Sequence, residues 1–261
     1  MPYGKTINAP VLYTNFNNIP EETLKELKRL GVENIILVGG DKTISVLQQR
    51  ALEGMGYKTD RINGHDRYET AMLIAERMQK AGAKGIHNAI IASGEKFPDA
   101  LSISPLAVSE ETPILLAQKD TLSKYTIKGL ESLKANKIYI SGGKLSVSET
   151  VEAKLKPYTE QAITRFAGHD RYETSVVIAK SVRPNATTSV FASGEVFPDA
   201  LVAGELVDHY NAPLMLLRRN EVPKSVENYV RTSPINKNII VGGEKTISNE
   251  VVDALNKIEK R

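Results

Sequence analysis

The sequence predicts an α/β protein of tandem repeated three-layer units, in which short, mainly parallel sheets are flanked by helices in a Rossmann-like arrangement. Three observations predict this fold class. Segments recur about every 100 residues, the length of a domain-sized unit rather than of a short solenoid repeat. Short apolar runs alternate with amphipathic stretches of helical period. Glycines follow the apolar runs and so stand at the carboxyl ends of the predicted strands, the edge at which a doubly wound sheet binds ligands.

Four motifs recur in the same order and define the units. They are GHDRYET at 64–70 and 168–174, ASGExFPDAL at 92–101 and 192–201, a PILL-like stretch at 10–13, 113–116 and 213–216, and a GG turn at 39–40, 142–143 and 242–243. We therefore divide the chain into residues 1–60, 61–160 and 161–261. The first division holds only the C-terminal half of a unit. Its front half lies outside this sequence, or the structural domains are permuted relative to the sequence repeat.

Within the second unit the elements are predicted in chain order. DRING (60–64) is a short strand, like TRFAG (164–168) in the next unit. Asp66 caps a helix, and Glu69 closes the cap in the manner of a capping box. NAIIASG (88–94) is a buried strand, and FPDALSISPLAV (97–108) is a helix with proline in its first turn.

The rest of the unit continues the alternation. PILLA is a second strand, LSKYTIKGLESLK an amphipathic helix and KIYISGG a third strand. Ser148 and Ser248 stand where they would cap the last helix of the second and third units. These strands and helices, joined by short connections, predict a parallel sheet covered on both faces.

Composition excludes several classes of function. The 34 basic and 31 acidic residues give a net charge of +3, too small to predict nucleic-acid binding. The chain has no cysteine, which excludes disulfides and thiolate sites. The chain contains no apolar run of about 18 residues, so no membrane span is predicted. The start, MPYGKTINAP, lacks the pattern of a signal peptide, so the protein is cytosolic or its signal segment has been removed.

Catalytic and cofactor patterns are weak. Ser93 and Ser193 end apolar strands, and His65 and His169 recur with the repeat, but the G-x-S-x-G nucleophile elbow is absent. The GG turns match neither the dinucleotide fingerprint nor a P-loop. No two histidines have the spacing of metal ligands. We expect no metal, no cofactor and no enzymatic activity, with a hydrolase kept as an alternative.

The repeated arginines allow two interpretations. In one, Arg67 and Arg171 form ion pairs with Asp99 and Asp199 that tie two helices of each unit together. In the other, Arg61 and Arg165, together with the first pair, face a cleft and bind phosphate or carboxylate groups of an anionic polymer. Both hold if different arginines take the two roles. Equal sites along one chain also suit the binding of a repeating polymer.

These ordered motifs resemble the type 2 cell-wall-binding repeat of Gram-positive bacteria, and the likeness covers nearly the whole chain. The resemblance implies a non-catalytic module, extracellular and in the cell wall, that anchors a surface protein to a teichoic-acid-like or other phosphate-bearing polysaccharide. It also implies that three units pack with pseudo-threefold symmetry and that the PILL stretch is associated with the ligand. Two features depart from the family pattern. The first unit is only a half unit, which predicts self-association or an assembly role, and no separate effector domain is expected in this sequence.

The residues that follow from this interpretation form two sets. The predicted polymer-binding residues are Arg61, Arg67, Arg165, Arg171, Ser93, Gly94, Ser193, Gly194, Pro113, Ile114, Leu115, Leu116, Pro213, Leu214, Met215 and Leu216. The predicted structural residues are Asp66, Asp170, Asp99, Asp199, Gly142, Gly143, Gly242 and Gly243.

Overall fold

A computed structural model describes residues 2–259, except for the side chain of Glu205. Over these residues the chain alternates helices with strands that pair in three separate sheets, and every strand pair is parallel. The sheets contain two, four and three strands in chain order. The predicted fold class of short parallel sheets flanked by helices is confirmed.

The bounds of the elements follow the three sheets. Around the first sheet lie α1 (Pro2–Thr6), α2 (Glu21–Leu30), β1 (Asn34–Val38), α3 (Val46–Gly54) and β2 (Lys58–Ile62). Around the second lie α4 (Arg67–Lys80), β3 (Asn88–Ser93), α5 (Pro98–Ser102), α6 (Ser104–Ser109), β4 (Ile114–Ala117), α7 (Lys124–Leu133), β5 (Lys137–Ser141), α8 (Glu149–Leu155), a 3₁₀ turn (Lys156–Tyr158) and β6 (Thr164–Phe166). Around the third lie α9 (Arg171–Val182), β7 (Thr188–Ser193), α10 (Pro198–His209), β8 (Leu214–Leu217), α11 (Lys224–Thr232), β9 (Lys237–Val241) and α12 (Asn249–Asn256).

The second sheet shows the three layers most completely. Its strand order is β4-β3-β5-β6. Successive residues of β3 point to opposite faces, so Ile91 packs with α4, α7 and α8 while Ile90 packs with α6 and α9. One face is thus covered by helices of the same unit, and the other partly by the first helix of the next unit.

The helix predicted at 97–108 is broken into α5 and α6. The break falls at Ile103, and Pro105 stands in the first turn of α6, where its missing N–H costs nothing. Residues 199–209 contain no proline, and α10 runs unbroken over the same part of the third unit. Ser148 accepts a capping bond from the Val151 N–H at 3.5 Å. The expected cap by Ser248 is not formed.

The strand that opens each sequence repeat joins the sheet of the preceding unit. β2 pairs with β1, and β6 pairs with β5. The helix that follows belongs to the next sheet, since α4 packs on β4 and α9 packs on β8. Sheet and sequence repeat are therefore offset by one strand, and residue 60, the predicted end of the first division, lies inside β2.

The three units meet through equivalent helix ends. α6 packs against both α1 and α10, and Lys5 of α1 forms an ion pair of 2.5 Å with Asp208 of α10. Asn8, Glu111 and Asn211 follow these three helices, and all have left-handed backbones with φ of 52°, 51° and 49°. The first residues of the chain thus repeat the local geometry of the complete units. Within the described residues, no helix is long and apolar enough to cross a membrane.

Candidate functional site

The GHDRYET segment folds into the cap of a helix. The Asp66 carboxylate accepts from the Glu69 N–H at 2.9 Å, and the Glu69 carboxylate accepts in turn from the His65 N–H. The Thr70 hydroxyl accepts from the Gly64 N–H at 3.0 Å and donates to the Asp66 carbonyl at 2.9 Å. The second copy repeats all these contacts, so the prediction that Asp66 and Asp170 cap helices is confirmed. These bonds satisfy N–H groups that a helix leaves unpaired.

The arginine and tyrosine of the same segment hold the ASG loop. Arg67 Nη1 donates to the Gly94 carbonyl at 2.6 Å, and Arg171 donates likewise to Gly194. A Cβ atom on Gly94 would lie 2.6 Å from the Tyr68 ring, so this glycine is required by the close approach of the ring. The ion pairs expected with Asp99 and Asp199 are not formed. The arginines bind main-chain carbonyls instead.

Asp99 and Asp199 lie against the GG turns. The Thr246 hydroxyl donates to Asp199 at 2.9 Å, and the Ser141 hydroxyl donates to the Asp99 carbonyl at 2.7 Å. Burial raises the pKa of the Asp99 carboxyl, and the Ser146 hydroxyl and the charge of Lys96 offset this effect only in part. These contacts fix the helix that follows the ASG loop to the turn after the third strand.

Gly142 has a φ of 108° and Gly242 a φ of 132°, values that other residues avoid. Each also faces the aspartate, since a Cβ atom on Gly142 would overlap the Asp99 carboxylate. The second glycine of each turn, Gly143 or Gly243, has no such neighbour within 4 Å.

Arg61 and Arg165 do not offer free guanidinium groups to a ligand, and that prediction is corrected. Arg61 borders a small cleft of about 180 Å³, but its guanidinium group binds within the protein. Arg165 donates to the Glu152 carboxylate at 2.7 Å and to the Gly142 carbonyl at 2.8 Å, and its side chain is 14% exposed. Arg61 donates to Gln49 and to the carbonyls of Gly39 and Ile44, and its remaining Nη2 is buried. Both guanidinium groups tie the edge strand to the GG turn.

Ser93 and Ser193 are buried turn residues. The Ser93 hydroxyl accepts from the N–H groups of Glu95 and Lys96, both at 3.1 Å, and Ser193 makes the corresponding pair of bonds. The side chain of His65 is 86% exposed at the start of α4. This geometry does not favour the hydrolase alternative, because both serine hydroxyls accept hydrogen bonds from main-chain N–H groups of the loop that follows.

The PILL stretches form β4 and β8, each of which is an edge strand of its sheet. Ile114–Leu116 belong to β4 and Leu214–Leu216 to β8, and Leu115 and Met215 are completely buried. The two prolines, Pro113 and Pro213, are buried as well. The apolar side chains of β8 therefore build the core, whereas in β4 Ile114 and Leu116 are half-buried and border an open groove. What the strands bring to the surface is the loop at their carboxyl ends.

Sequence reasoning missed the arginines of that loop. Arg218 and Arg219 directly follow β8 and are exposed. The Arg218 guanidinium lies 5.0 Å from the centre of the Tyr172 ring and within 4 Å of carboxylates of Asp170 and Glu221. Two basic residues at the end of an apolar parallel strand were a readable signal, because that edge of a sheet is where ligands bind.

The arginines adjoin exposed aromatic rings. Phe97 and Phe197, from the loops of two units, lie 5.6 Å apart and are 41% and 46% exposed. Arg171 lies 5.9 Å from the Phe97 ring and binds the Gly194 carbonyl, over which Tyr172 packs. We refer to Phe97, Phe197, Arg171, Tyr172 and Arg218 as the carboxyl-edge cluster. It joins two units and offers guanidinium groups beside apolar faces.

Comparison with known proteins identifies the family whose repeat this chain matches. A family model described as cell wall binding domain 2 matches residues 61–152 and 165–252. The amidase enhancer of Bacillus subtilis is 29% identical over 255 residues, 98% of this chain and 34% of that protein. The N-acetylmuramoyl-L-alanine amidase LytC of the same organism is 27% identical over 97% of this chain and 49% of that protein.

The structure also resembles a solved one. Cwp6 from Clostridium difficile superposes with a TM-score of 0.88 at 27% identity, over 100% of this chain and 41% of that one. The chain thus spans less than half the length of each of these relatives.

Proposed function

We propose that this chain, which belongs to the cell wall binding domain 2 family, is a non-catalytic module that holds a surface protein to an anionic polymer of the cell wall. The polymer class is a teichoic-acid-like or other phosphate-bearing polysaccharide. The family assignment supports wall binding and an extracellular location in the cell wall. Two amidase-related proteins, an enhancer and an amidase, contain long segments similar to this chain, which supports a role beside wall-active domains.

The carboxyl-edge cluster is the observation that carries the polymer class. Arg218 is exposed, and Arg171 donates one hydrogen bond, from Nη1, to the Gly194 carbonyl. A guanidinium group binds phosphate oxygens with two parallel hydrogen bonds and is only weakly hydrated, so it suits a phosphodiester better than an ammonium group does. The exposed rings of Phe97 and Phe197 add apolar faces beside Arg171. This replaces Arg61 and Arg165 as the proposed contacts.

Repetition of the unit supports a polymeric ligand. The loops of the second and third units meet at Phe97 and Phe197 and so lie on one surface, with Gln118 and Lys119 at the positions that Arg218 and Arg219 hold in the third unit. A polymer held at one site reaches the next at high effective concentration, and weak contacts then add up to firm attachment.

A double variant tests the role of the edge arginines. We expect Arg218→Ala with Arg219→Ala to weaken binding to purified cell walls about tenfold, because two phosphate contacts are lost. We also expect the binding to depend less steeply on salt concentration than that of the unmodified chain. Co-sedimentation with walls over a range of sodium chloride concentrations measures both effects.

The matched control is Arg29→Ala with Arg50→Ala, which removes the same charge from exposed sites around the first sheet. It should bind walls as the unmodified chain does. Equal losses in the two double variants would show that net charge alone drives attachment, and would contradict the proposed site.

A further inference from the structure

The second and third units have nearly the same motifs at the carboxyl edge of their sheets. Their GHDRYET segments are identical, and their ASGExFPDAL segments differ at one residue. Arg67 and Arg171 both donate to the glycine carbonyl of the ASG loop, and Tyr68 and Tyr172 both pack over that glycine. These shared groups give neither unit an advantage in binding.

The loop after the PILL strand is where the two units differ. In both units the last residue of that strand, Ala117 or Leu217, accepts a hydrogen bond of 2.8 Å from the glycine N–H of the ASG loop. The residues that follow, Gln118 and Arg218, are therefore equivalent, and both are exposed. One is a neutral amide, whereas the other is a cation with five N–H donors.

Arg218 is held in place by its neighbours. Its guanidinium group lies over the Tyr172 ring, 5.0 Å from the ring centre, and 3.9 Å from the Asp170 carboxylate. Tyr172 is 6% exposed and packs over Gly194, so the ring is a fixed platform. A guanidinium group that contacts a ring through its face keeps the N–H donors in its plane for other partners. A side chain oriented in advance loses less freedom when a ligand binds.

The carboxylates beside Arg218 do not block it. The side chains of Asp170 and Glu221, which lie 3.9 and 3.6 Å from this guanidinium group, are 48% and 63% exposed. Ion pairs so open to solvent contribute little free energy. A phosphate that accepts two parallel hydrogen bonds replaces them readily.

The second unit has the platform without the cation. Gln118 accepts a hydrogen bond from the Thr121 hydroxyl within its own loop. Within the part of the chain that the structure describes, no lysine or arginine lies over the Tyr68 ring. Lys119 is exposed beside it, but an ammonium group is more strongly hydrated than a guanidinium group and has no planar fork.

We propose that the residue directly after the PILL strand sets how tightly a unit binds the polymer, and that Tyr172 is the positioning residue for Arg218. The third unit then supplies most of the affinity, while the second unit, with Gln118, adds a weaker contact. This inference rests on the proposed attachment to a phosphate-bearing wall polymer.

Exchanging the two residues tests the proposal. Arg218→Gln should weaken binding to purified walls about fivefold, because the oriented guanidinium group is lost. Gln118→Arg should tighten binding about fivefold, because the second unit then holds the same polymer at high effective concentration. Co-sedimentation of the full chain measures both changes.

Two control variants make the same changes in charge elsewhere. Arg50→Gln removes an exposed arginine from α3, and Gln161→Arg adds one before β6, at the opposite edge of the second sheet. Both should bind walls as the unmodified chain does. All four changes are at exposed or loop positions, and circular dichroism checks that each variant is folded.

A double-mutant cycle tests the role of the ring. Tyr172→Leu should weaken binding about threefold in the unmodified chain and have no effect in the Arg218→Gln chain, because the ring acts through that arginine. A purely structural role of Tyr172 would lower binding equally in both chains. Tyr172→Phe keeps the ring and should bind normally.

The outcomes separate this inference from the proposed function. Failure of the unmodified chain to bind intact walls would remove both. If the unmodified chain binds, the inference alone is overturned when Arg218→Gln binds equally well, when Gln118→Arg gains nothing, or when Gln161→Arg gains as much.

Discussion

Replacing Gly142 with alanine is expected to lower the free energy of unfolding by about 4 kcal/mol. Two costs combine in this value. A side chain at a φ of 108° strains the backbone by about 1–3 kcal/mol. The new methyl group also overlaps the Asp99 carboxylate, and overpacking of this kind costs about 1–3 kcal/mol. Urea unfolding followed by circular dichroism measures the change.

The adjacent glycine is the matched control. Gly143 has neither a positive φ nor a neighbour within 4 Å of an added Cβ atom. Gly143→Ala should therefore change stability by less than about 1 kcal/mol. If the two variants lost the same stability, the turn would need glycine for another reason than its contact with the FPDAL helix.

Replacing Arg165 with alanine is expected to lower the free energy of unfolding by about 3 kcal/mol. The change leaves the Glu152 carboxylate and the Gly142 carbonyl without the donor that now lies 2.7 and 2.8 Å away. Removing one partner of a largely buried pair costs about 3–5 kcal/mol, and we take the lower end because Glu152 is 31% exposed. Thermal unfolding of the variant measures the loss.

Two further variants separate the structural role from a polymer-binding one. Arg77→Ala removes an exposed pair with Asp60 and should cost at most about 1 kcal/mol. Arg165→Lys keeps the charge but not the planar fork, so it should restore little of the stability. Below its unfolding temperature, Arg165→Ala should still bind walls. Loss of binding by the folded variant would reinstate this arginine as a ligand contact.

Local sequence was sufficient for most of the elements and for the caps at Asp66, Asp170 and Ser148, although not for the cap at Ser248. The apolar runs, the GG turns and the Asp66–Glu69 cap depend on residues close in the chain, and the structure reproduces them. Pro105 shows the limit of such reasoning, because it broke a helix that the apolar pattern had predicted as continuous.

The roles of the arginines needed the tertiary structure. Arg67 binds the Gly94 carbonyl and not Asp99 because of the way α4 lies over the ASG loop. The spacing of residues in the sequence does not determine that placement of α4. The transfer of β2 and β6 to the preceding sheet is likewise a matter of strand order. For the candidate site, the glycines predict the sheet edge at which the proposed cluster lies, but Arg218 and Arg219 lie outside the repeated motifs and are absent from the second unit.

The central claim is that the chain attaches to a phosphate-bearing polymer of the cell wall and needs no catalysis to do so. The most direct measurement is co-sedimentation of the full chain with two preparations of the same walls, one intact and one stripped of phosphate-bearing polymers. The account predicts saturable binding to the intact walls, weakened by salt, and little binding to the stripped walls. Equal binding to both preparations, or binding to neither, would contradict it.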